Sequence, residues 1–216
     1  TVEEQMRALQ EKKRALFATT FGKKTAASLT MEDFKEFVNQ AHEKGIYVVI
    51  DLVINHTSNQ HPWFLESQKG PDNPFRDFYV WKTQEDIAVL EPVESGPDSD
   101  NPVHWHPIEN SEQRYYGYFY GGMPDLNFHN PQVKKEIYDI GRFWLEEVGV
   151  DGFRLDAARH IFDENAEDNH AFWIEFREEM EKVKPDVYLV GEVWSDVKSV
   201  AHICMAYRLY LISIWV

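Results

Sequence analysis

Three times along the chain, an amphipathic helical pattern ends near a glycine or proline and gives way to a short apolar run. The first predicted helix, Met31 to Lys44, has Thr30 as its N-cap and Asp33 as the capping-box partner. Gly45 follows, where a left-handed cap is expected. The β-branched run from Ile46 to Ile54 then predicts a strand that is buried on both faces.

The second and third units repeat this order. A helix is predicted to start at Asn130-Pro131 and to end at Gly149, and Val150 to Leu155 is the next strand. The third helix is predicted from Asp168 to Val183, with a strand at Val187 to Val190. Helix, turn and strand in this repeated order indicate the α/β class, with a parallel sheet and helical crossovers.

Composition narrows the range of partners. The 216 residues are 43% hydrophobic, which is enough for one globular domain with a sizeable core. The net charge of -15 would be repelled by a phosphate backbone, so no nucleic-acid partner is expected. The single cysteine, Cys204, excludes an internal disulfide and a cysteine-based metal cluster. No apolar run is long enough for a membrane span. The charged start, Thr1 to Lys13, lacks the apolar core of a signal peptide, and Thr1 to Leu16 predicts a charged helix.

The stretch from Thr57 to His129 is rich in Pro, Asn, Asp, Trp and Tyr. A loop of this length without structure is unusual in a compact domain, so we predict a small inserted subdomain at the carboxyl ends of the strands. Most rings of its aromatic run, Tyr115 to Tyr120, should form the core of the subdomain, and we expect one or two aromatic side chains of this stretch to reach a bound ligand. The spacing of its histidines matches no metal motif, so His104 and the others are predicted at the surface or in a cleft.

Each predicted strand ends in polar side chains that a buried strand should not contain. These residues are Asp51, Asn55 and His56 for the first strand, Arg154 and Asp156 for the second, and Glu192 for the third. A single carboxylate at a strand end is most often a helix cap or a loop hydrogen-bond partner. Three successive strands with ionisable ends are better explained by catalytic groups, which converge at the carboxyl ends of barrel strands.

The types and spacing of these residues fit a glycosidase. Arg154 and Asp156 are two positions apart and face the same way, and the arginine favours the charged carboxylate that a nucleophile requires. Glu192 has apolar sequence neighbours and no adjacent cation, which suits a general acid. Adjacent strands are about 4.8 Å apart, so the two carboxylates can approach to about 5 Å, the separation of a retaining enzyme.

Four short motifs carry a resemblance to the α-amylase superfamily between Leu29 and Lys198. They read Asp51-Leu-Val-Ile-Asn-His56, Met123-Pro-Asp-Leu-Asn127, Gly152-Phe-Arg-Leu-Asp-Ala-Ala-Arg-His160 and Gly191-Glu-Val-Trp194. The second of these resembles the group that lies between oligo-1,6-glucosidases and neopullulanases. The resemblance implies a (β/α)8 (TIM) barrel and retaining hydrolysis of α-glucosidic bonds, mainly α-1,4, in starch-like or maltooligosaccharide substrates.

The resemblance also implies roles for single residues. Asp156 corresponds to the nucleophile and Glu192 to the proton donor. The substrate-binding set is His56, Arg154, Arg159 and His160, and Asp51 has a structural role. Arg159 stands where many relatives have lysine, and a solvated arginine on a loop is the alternative interpretation. No cofactor is required, but in calcium-binding relatives the ion is held by the counterparts of Asn55, Asp125 and the carbonyl of His160. Calcium prefers six to eight oxygen ligands, and this set supplies three.

The chain also departs from the family pattern. The third catalytic carboxylate, expected in a Phe-x-x-Asn-His-Asp stretch, has no counterpart, so we expect a partial catalytic domain, a truncated form of the enzyme. The predicted divisions are an N-terminal segment (1–28), a partial barrel (29–56 and 130–201), the inserted subdomain (57–129) and a tail unlike the family (202–216). Two alternatives stay open, a transglycosylase acting on α-glucosides and a non-catalytic glycan-binding or structural relative. The resemblance favours an extracellular or periplasmic location.

Overall fold

The computed structural model describes residues 2–21, 29–91, 99–193 and 210–212. The helices are α1 (Val2–Phe21), α2 (Met31–Glu43), α3 (Pro62–Ser67), α4 (Gln84–Ala88), α5 (Pro131–Phe143) and α6 (Ala166–Glu181). The strands are β1 (Val49–Leu52), β2 (Trp81–Thr83), β3 (Trp105–Pro107), β4 (Gln113–Tyr116), β5 (Gly152–Leu155), β6 (Tyr188–Glu192) and β7 (Tyr210–Ile212). Within these ranges, no helix has both the length and the apolar character that crossing a bilayer requires.

The central sheet has four parallel strands in the order β1-β5-β6-β7. The predicted parallel sheet is therefore confirmed. Strand β7, which falls in the tail (202–216), is a fourth strand beside the three predicted ones, and the rest of the tail lies outside the described residues. Strands β5 and β6 start their pairing at Gly152 and Tyr188. A Cβ at Gly152 would lie 1.8 Å from the carbonyl oxygen of Tyr188, so only glycine fits at this position.

Local capping signals determine the helix ends. Thr30 accepts a hydrogen bond from the main-chain N–H of Asp33, and the Asp33 side chain accepts one from Thr30, which completes the predicted capping box. Gly45 follows α2 with a φ of 67°. Helix α5 begins after Asn130 and continues into a π-helical turn that ends at Gly149, with a φ of 84°. These predicted helix boundaries are confirmed.

Strand β1 is not buried on both faces, and that prediction is wrong. It forms an edge of the described sheet, and its side chains alternate between exposed and buried positions. Leu52 and the following Ile54 are 5% and 1% exposed, whereas Val49 and Val53 are 40% and 48% exposed. The sequence run is apolar on both faces, but only one face of β1 is covered by described residues.

Residues 57–129 contain a second sheet, which is antiparallel and has the order β2-β4-β3. Its aromatic rings pack on one another, as in the stacked pair Phe64 and Trp81, with ring centroids 6.0 Å apart. The buried rings Phe64 and Tyr115 belong to the same hydrophobic cluster as Phe153 of β5. The antiparallel sheet is thus packed against the parallel sheet through one continuous core.

Helix α6 packs against the parallel sheet through Phe176, whose ring centroid lies 6.5 Å from that of Phe153 on β5. It starts at Ala166, two residues before the predicted start, because Asn165 accepts hydrogen bonds from the N–H groups of Glu167 and Asp168. Its buried rings, Phe172, Trp173 and Phe176, are at most 1% exposed. Burying each such ring contributes about 1.5 to 3 kcal/mol, so this face of α6 is a principal contributor to fold stability.

Candidate active site

The guanidinium group of Arg154 contacts three carboxylates at the carboxyl ends of β1, β5 and β6. Its Nη1 donates to Asp51 at 2.8 and 2.9 Å and to Asp156 at 2.7 Å, and its Nη2 forms an ion pair with Glu192. Burial lowers the pKa of Arg154, but the hydrogen bonds to Asp51 and Glu192 and the surrounding negative charge outweigh burial and hold the pKa above its usual value. One fixed cation therefore holds the acidic side chains of three strands together.

Strand register explains this convergence. Arg154 pairs with Asp51 on β1, and Leu155 pairs with Gly191 on β6, so the next step along the parallel register places Asp156 beside Glu192. Neighbouring strands are about 4.8 Å apart, and successive side chains point to opposite faces. The two carboxylates thus lie next to each other at one edge of the sheet, as the sequence predicts.

A cavity of about 380 Å³ lies at this edge of the sheet. It is lined by His56, Phe119, Tyr120, Met123, Asp156, Ala157, Arg159, His160 and Glu192. All of the predicted catalytic residues and three of the four predicted substrate-binding residues line it, and the fourth, Arg154, contacts both acids. The cavity is of the size that binds small organic ligands, and its lining combines aromatic rings with a few polar groups.

His56 follows β1 and forms part of the buried wall of the cavity. It is 8% exposed, and its ring meets the ring of Phe119 edge to face at a centroid distance of 5.5 Å. Burial, with the nearby charge of His160, lowers the pKa of His56 from 6.5 to about 4. The imidazole is consequently neutral at pH 7, with one N–H group as donor and one nitrogen as acceptor.

His160 links the loop that follows β5 to the antiparallel sheet. Its ring stacks on that of Tyr118 at a centroid distance of 4.1 Å, and its Nδ1 pairs with Asp163. Asp163 also accepts a hydrogen bond of 2.9 Å from the hydroxyl of Tyr116 on β4. The loop after β5 and the antiparallel sheet together therefore fix this side of the cavity.

The chain turns sharply directly after Asp156. Ala157 has a φ of 48°, in the left-handed region that non-glycine residues rarely adopt. The carbonyl of Ala158 accepts hydrogen bonds from the Trp173 indole at 2.7 Å and from the Asn169 amide at 3.1 Å, both on α6. The N–H of Ala158 donates to the main-chain carbonyl of Glu192 at 3.2 Å. These bonds hold a strained turn that places Asp156 at the cavity.

The structure corrects one prediction and adds contacts and residues that sequence reasoning missed. Glu192 has no adjacent cation in sequence, but Arg154 reaches it across the strand register. His104 was predicted at the surface or in a cleft, but it is 6% exposed and stacks on Tyr118 at 5.1 Å. Trp173 and Asp163 were not predicted as part of the site, because their roles depend on contacts between elements far apart in sequence.

The candidate calcium ligands lie behind the histidines. Asn55 and Asp125 are 1% and 4% exposed, and burial, together with the charge of Asp163, raises the pKa of Asp125 well above its usual value. Its Oδ2 accepts a hydrogen bond of 3.4 Å from the N–H of Tyr118, whereas its Oδ1 has no hydrogen-bond partner among the described residues. A buried carboxylate oxygen without a donor fits a cation. Groups of three or more His, Cys, Asp or Glu with metal-binding geometry are absent from the described ranges.

Comparison with known proteins identifies the family of this chain. The family model for the α-amylase catalytic domain matches residues 26–208. The chain is 44% identical over 172 residues to Alpha-amylase 3 of Dictyoglomus thermophilum, covering 80% of this chain and 31% of that protein. It is 39% identical over 175 residues to the trehalose synthase/amylase TreS of Mycolicibacterium smegmatis, covering 76% and 28%.

The solved structures agree with the sequence relatives. The α-amylase from H. orenii superimposes with a TM-score of 0.64 at 43% identity, over 84% of this chain and 35% of that one. The chain thus spans about a third of the length of the relatives that it matches. With a family model that covers most of the chain and a site built from the acidic ends of three parallel strands, this protein belongs to the α-amylase family of glycoside hydrolases, whose members share the TIM-barrel fold.

Proposed function

We propose that this chain carries the catalytic centre for retaining hydrolysis of α-glucosidic bonds, mainly α-1,4, in starch-like or maltooligosaccharide substrates. The observation that supports this most directly is the placement of Asp156 and Glu192 at adjacent register positions, both bound to Arg154, at the floor of one cavity. Carboxylates on neighbouring strand ends have the short separation of a retaining pair.

In the first step, Asp156 attacks the anomeric carbon of the sugar and forms a glycosyl ester, while Glu192 gives a proton to the departing glycosidic oxygen. In the second step, Glu192 takes a proton from water, whose oxygen attacks the same carbon and releases Asp156. The Arg154 guanidinium donates a hydrogen bond to the Asp156 carboxylate and orients it. Because Glu192 also contacts Arg154, the first step requires its carboxyl group to turn from the guanidinium towards the glycosidic oxygen.

Three cavity residues are proposed to bind the sugar. His56 and His160 are buried and held by ring contacts, so each can offer a fixed nitrogen to a sugar hydroxyl. Arg159 lies on the exposed rim of the same cavity, where its planar guanidinium can bind hydroxyls of a neighbouring sugar unit. The proposed role of Asp51 is structural, because its carboxylate is bound by Arg154 from the neighbouring strand.

We also propose the domain division given by the sequence, with 57–129 as a subdomain inserted in a partial (β/α)8 barrel. The separate antiparallel sheet supports this division, although its core is continuous with that of the parallel sheet. A calcium ion is proposed between Asn55, Asp125 and the carbonyl of His160. It would neutralise the carboxylate of Asp125, whose Oδ1 has no hydrogen-bond partner in the part of the chain that the structure describes.

The calcium proposal can be tested without a substrate. Thermal unfolding of the metal-stripped chain is measured with added Ca²⁺, and Asp125→Asn serves as the site variant. The unfolding temperature of the wild type should rise with Ca²⁺ concentration, and that of Asp125→Asn should not. If both respond equally, or if neither responds, the proposed site is wrong.

The experiment for the enzymatic proposal measures release of maltose or glucose from maltooligosaccharides. Asp156→Asn and Glu192→Gln remove the proposed nucleophile and proton donor with little change in shape, and each should lower turnover by at least about a thousandfold. Asp139→Asn, which changes an exposed carboxylate on α5, is the matched control. Turnover that persists in Asp156→Asn would refute the assignment. An inactive wild-type chain that still binds maltooligosaccharides would support the non-catalytic alternative.

Transglycosylation is the second candidate, favoured by the similarity to TreS, whose name describes a trehalose synthase/amylase. Both reactions share the glycosyl ester on Asp156 and differ in whether water or a sugar hydroxyl attacks it. Product analysis with and without an added acceptor sugar separates them. New glycosides would indicate transfer, and an unchanged set of hydrolysis products would exclude it.

A further inference from the structure

Tyr120 differs from the other tyrosines of its aromatic run in its exposure. Tyr115, Tyr116 and Tyr118 are 7%, 9% and 3% exposed, whereas Tyr120 is 54% exposed and lines the cavity that contains Asp156. The first three rings have the structural role expected from the sequence, since they fill the core around β4. The ring of Tyr120, in contrast, exposes a large apolar surface to solvent at the mouth of the candidate active site.

The position of Tyr120 is fixed by the turn that follows it. A Cβ on Gly122 would lie 2.3 Å from Cε2 of Tyr120 and 2.8 Å from its hydroxyl oxygen, so the ring rests directly against the Gly122 backbone. Three hydrogen bonds hold the turn itself. They run from the Met123 N–H to the Tyr120 carbonyl at 2.9 Å, from the Tyr115 hydroxyl to the Gly121 carbonyl at 2.6 Å, and from the Asn59 N–H to the Gly122 carbonyl at 3.0 Å.

An exposed ring on a rigid support is well suited to binding. Little conformational freedom is lost when a ligand covers it, so most of the contact energy is retained as affinity. The ligand must be flat and apolar on one face and polar at its edge, because tyrosine offers an apolar ring and a hydroxyl handle. A pyranose in its chair form has this shape, with C–H groups on its faces and hydroxyls at its rim.

We infer that Tyr120 is a specificity residue that stacks on a glucose unit next to the one cleaved between Asp156 and Glu192. This inference rests on the proposed function and identifies the residue that selects substrates of more than one sugar unit. Phe119 is packed between the rings of His56 and His160 and therefore belongs to the inner wall. Tyr120 lies further out, on the rim.

The test compares KM and kcat for maltopentaose and for a nitrophenyl α-glucoside, which has a single sugar. Tyr120→Ala should raise KM for maltopentaose by about tenfold and leave kcat within about twofold. Its effect on the single-sugar substrate should be small. Tyr120→Phe should retain the wild-type KM, because the ring is preserved. Tyr47→Ala, which removes a tyrosine that is 79% exposed before β1, should change neither substrate's kinetics.

A second variant and a binding measurement test the inference even if Tyr120→Ala is unstable or the chain shows no turnover. Gly122→Ala displaces the ring without removing it and should reproduce the KM effect of Tyr120→Ala, with unfolding transitions recorded for both. Binding of maltopentaose to Asp156→Asn, with and without Tyr120→Ala, is measured by calorimetry and requires no turnover. Equal affinity in the two proteins would overturn the inference and leave the proposed function intact. If the wild-type chain neither binds nor cleaves maltopentaose, both the inference about Tyr120 and the proposed function are overturned.

Discussion

Tyr116 on β4 donates a hydrogen bond of 2.9 Å to Asp163 in the loop after β5. This bond joins the antiparallel sheet to the loop that carries His160, because Asp163 also pairs with the imidazole of His160. Burial first, and the charge of Asp163 second, raise the pKa of Tyr116, so its hydroxyl remains protonated as the donor. The contact explains how two sheets with separate strand pairing form one wall of the cavity.

Removal of the Tyr116 hydroxyl should destabilise the fold. Tyr116→Phe preserves the ring and leaves Asp163 without one of its partners, so the free energy of unfolding should fall by about 1 to 2 kcal/mol. Urea unfolding measures this change, with Tyr47→Phe at an exposed position as the control. Equal midpoints for Tyr116→Phe and the wild type would show that the bond does not contribute to stability.

His56 should make the fold sensitive to mild acid. Its pKa is about 4 in the folded state and 6.5 in the unfolded state, so the unfolded chain binds the additional proton as the pH falls from 6.5 to 4. The neutral histidine therefore contributes stability that is complete above pH 6.5 and is lost by about pH 4, and the total loss is about 3 kcal/mol.

The measurement is the free energy of unfolding at pH 7 and pH 4 for the wild type and for His56→Gln, which cannot titrate. Other groups titrate in both proteins and largely cancel in the comparison. The wild type should lose about 3 kcal/mol more than the variant between these pH values. The same loss in both proteins would contradict the assignment of a neutral, buried His56.

Ala157 should respond to substitution according to backbone strain. Its φ of 48° is costly for residues with a branched side chain, so Ala157→Val should destabilise the fold by about 1 to 3 kcal/mol. Ala157→Gly relieves strain but increases the freedom of the unfolded chain, so its effect should lie within about 1 kcal/mol of zero. Thermal unfolding of the two variants compares them directly. A valine variant as stable as the glycine variant would show that the turn is not strained.

A cluster at the amino-terminal edge of the sheet provides a test of stability that is separate from the candidate active site. Asp151 accepts hydrogen bonds from Lys184 at 2.7 Å, from the Val48 N–H at 2.7 Å and from His42 at 2.8 Å. Burial raises the pKa of Asp151, but these bonds outweigh burial and hold the pKa below its usual value. The cluster therefore contributes stability above about pH 4 that is lost as the pH falls through the depressed pKa.

Lys184→Met should lower the free energy of unfolding by about 1 to 3 kcal/mol at pH 7, because it leaves Asp151 buried without its cationic partner. The difference from the wild type should shrink as the pH falls from about 4 through the depressed pKa of Asp151, because the folded wild type then takes up the proton. Kinetic constants of the folded variant should match those of the wild type. A large fall in kcat of the fully folded variant would show that the amino-terminal edge of the sheet is coupled to the candidate active site at its carboxyl-terminal edge.

Local signals in the sequence predicted the helix ends well, because a cap depends on a few adjacent residues. The bonds of Thr30 and Asp33, and the left-handed Gly45, are determined within one turn of α2. The convergence of Asp156 and Glu192 was also predictable, since parallel strands carry their carboxyl ends to the same edge. Both predictions depend only on secondary structure and its regular geometry.

Predictions that depend on tertiary neighbours were less successful. The apolar sequence of β1 predicts a strand that is buried on both faces. Burial depends on which other elements cover each face, and Val49 and Val53 are exposed. The ion pair of Glu192 with Arg154 joins residues on different strands, so no local pattern reveals it. The hydrogen bond from Trp173 to the Ala158 carbonyl, in the turn after Asp156, spans 15 residues and depends on how α6 packs against the sheet.

The close approach of β5 and β6 at Gly152 has a consequence for chemistry at the other end of those strands. Any side chain at this position would collide with the Tyr188 carbonyl and push the two strands apart at the start of their pairing. Asp156 and Glu192 lie four residues further along the same pair, roughly 13 Å away at the usual rise of a strand. The absence of a side chain at Gly152 thus helps to set the distance between Asp156 and Glu192, across which a glycosidic bond would be broken. Gly152→Ala should increase that distance, although it changes neither acid.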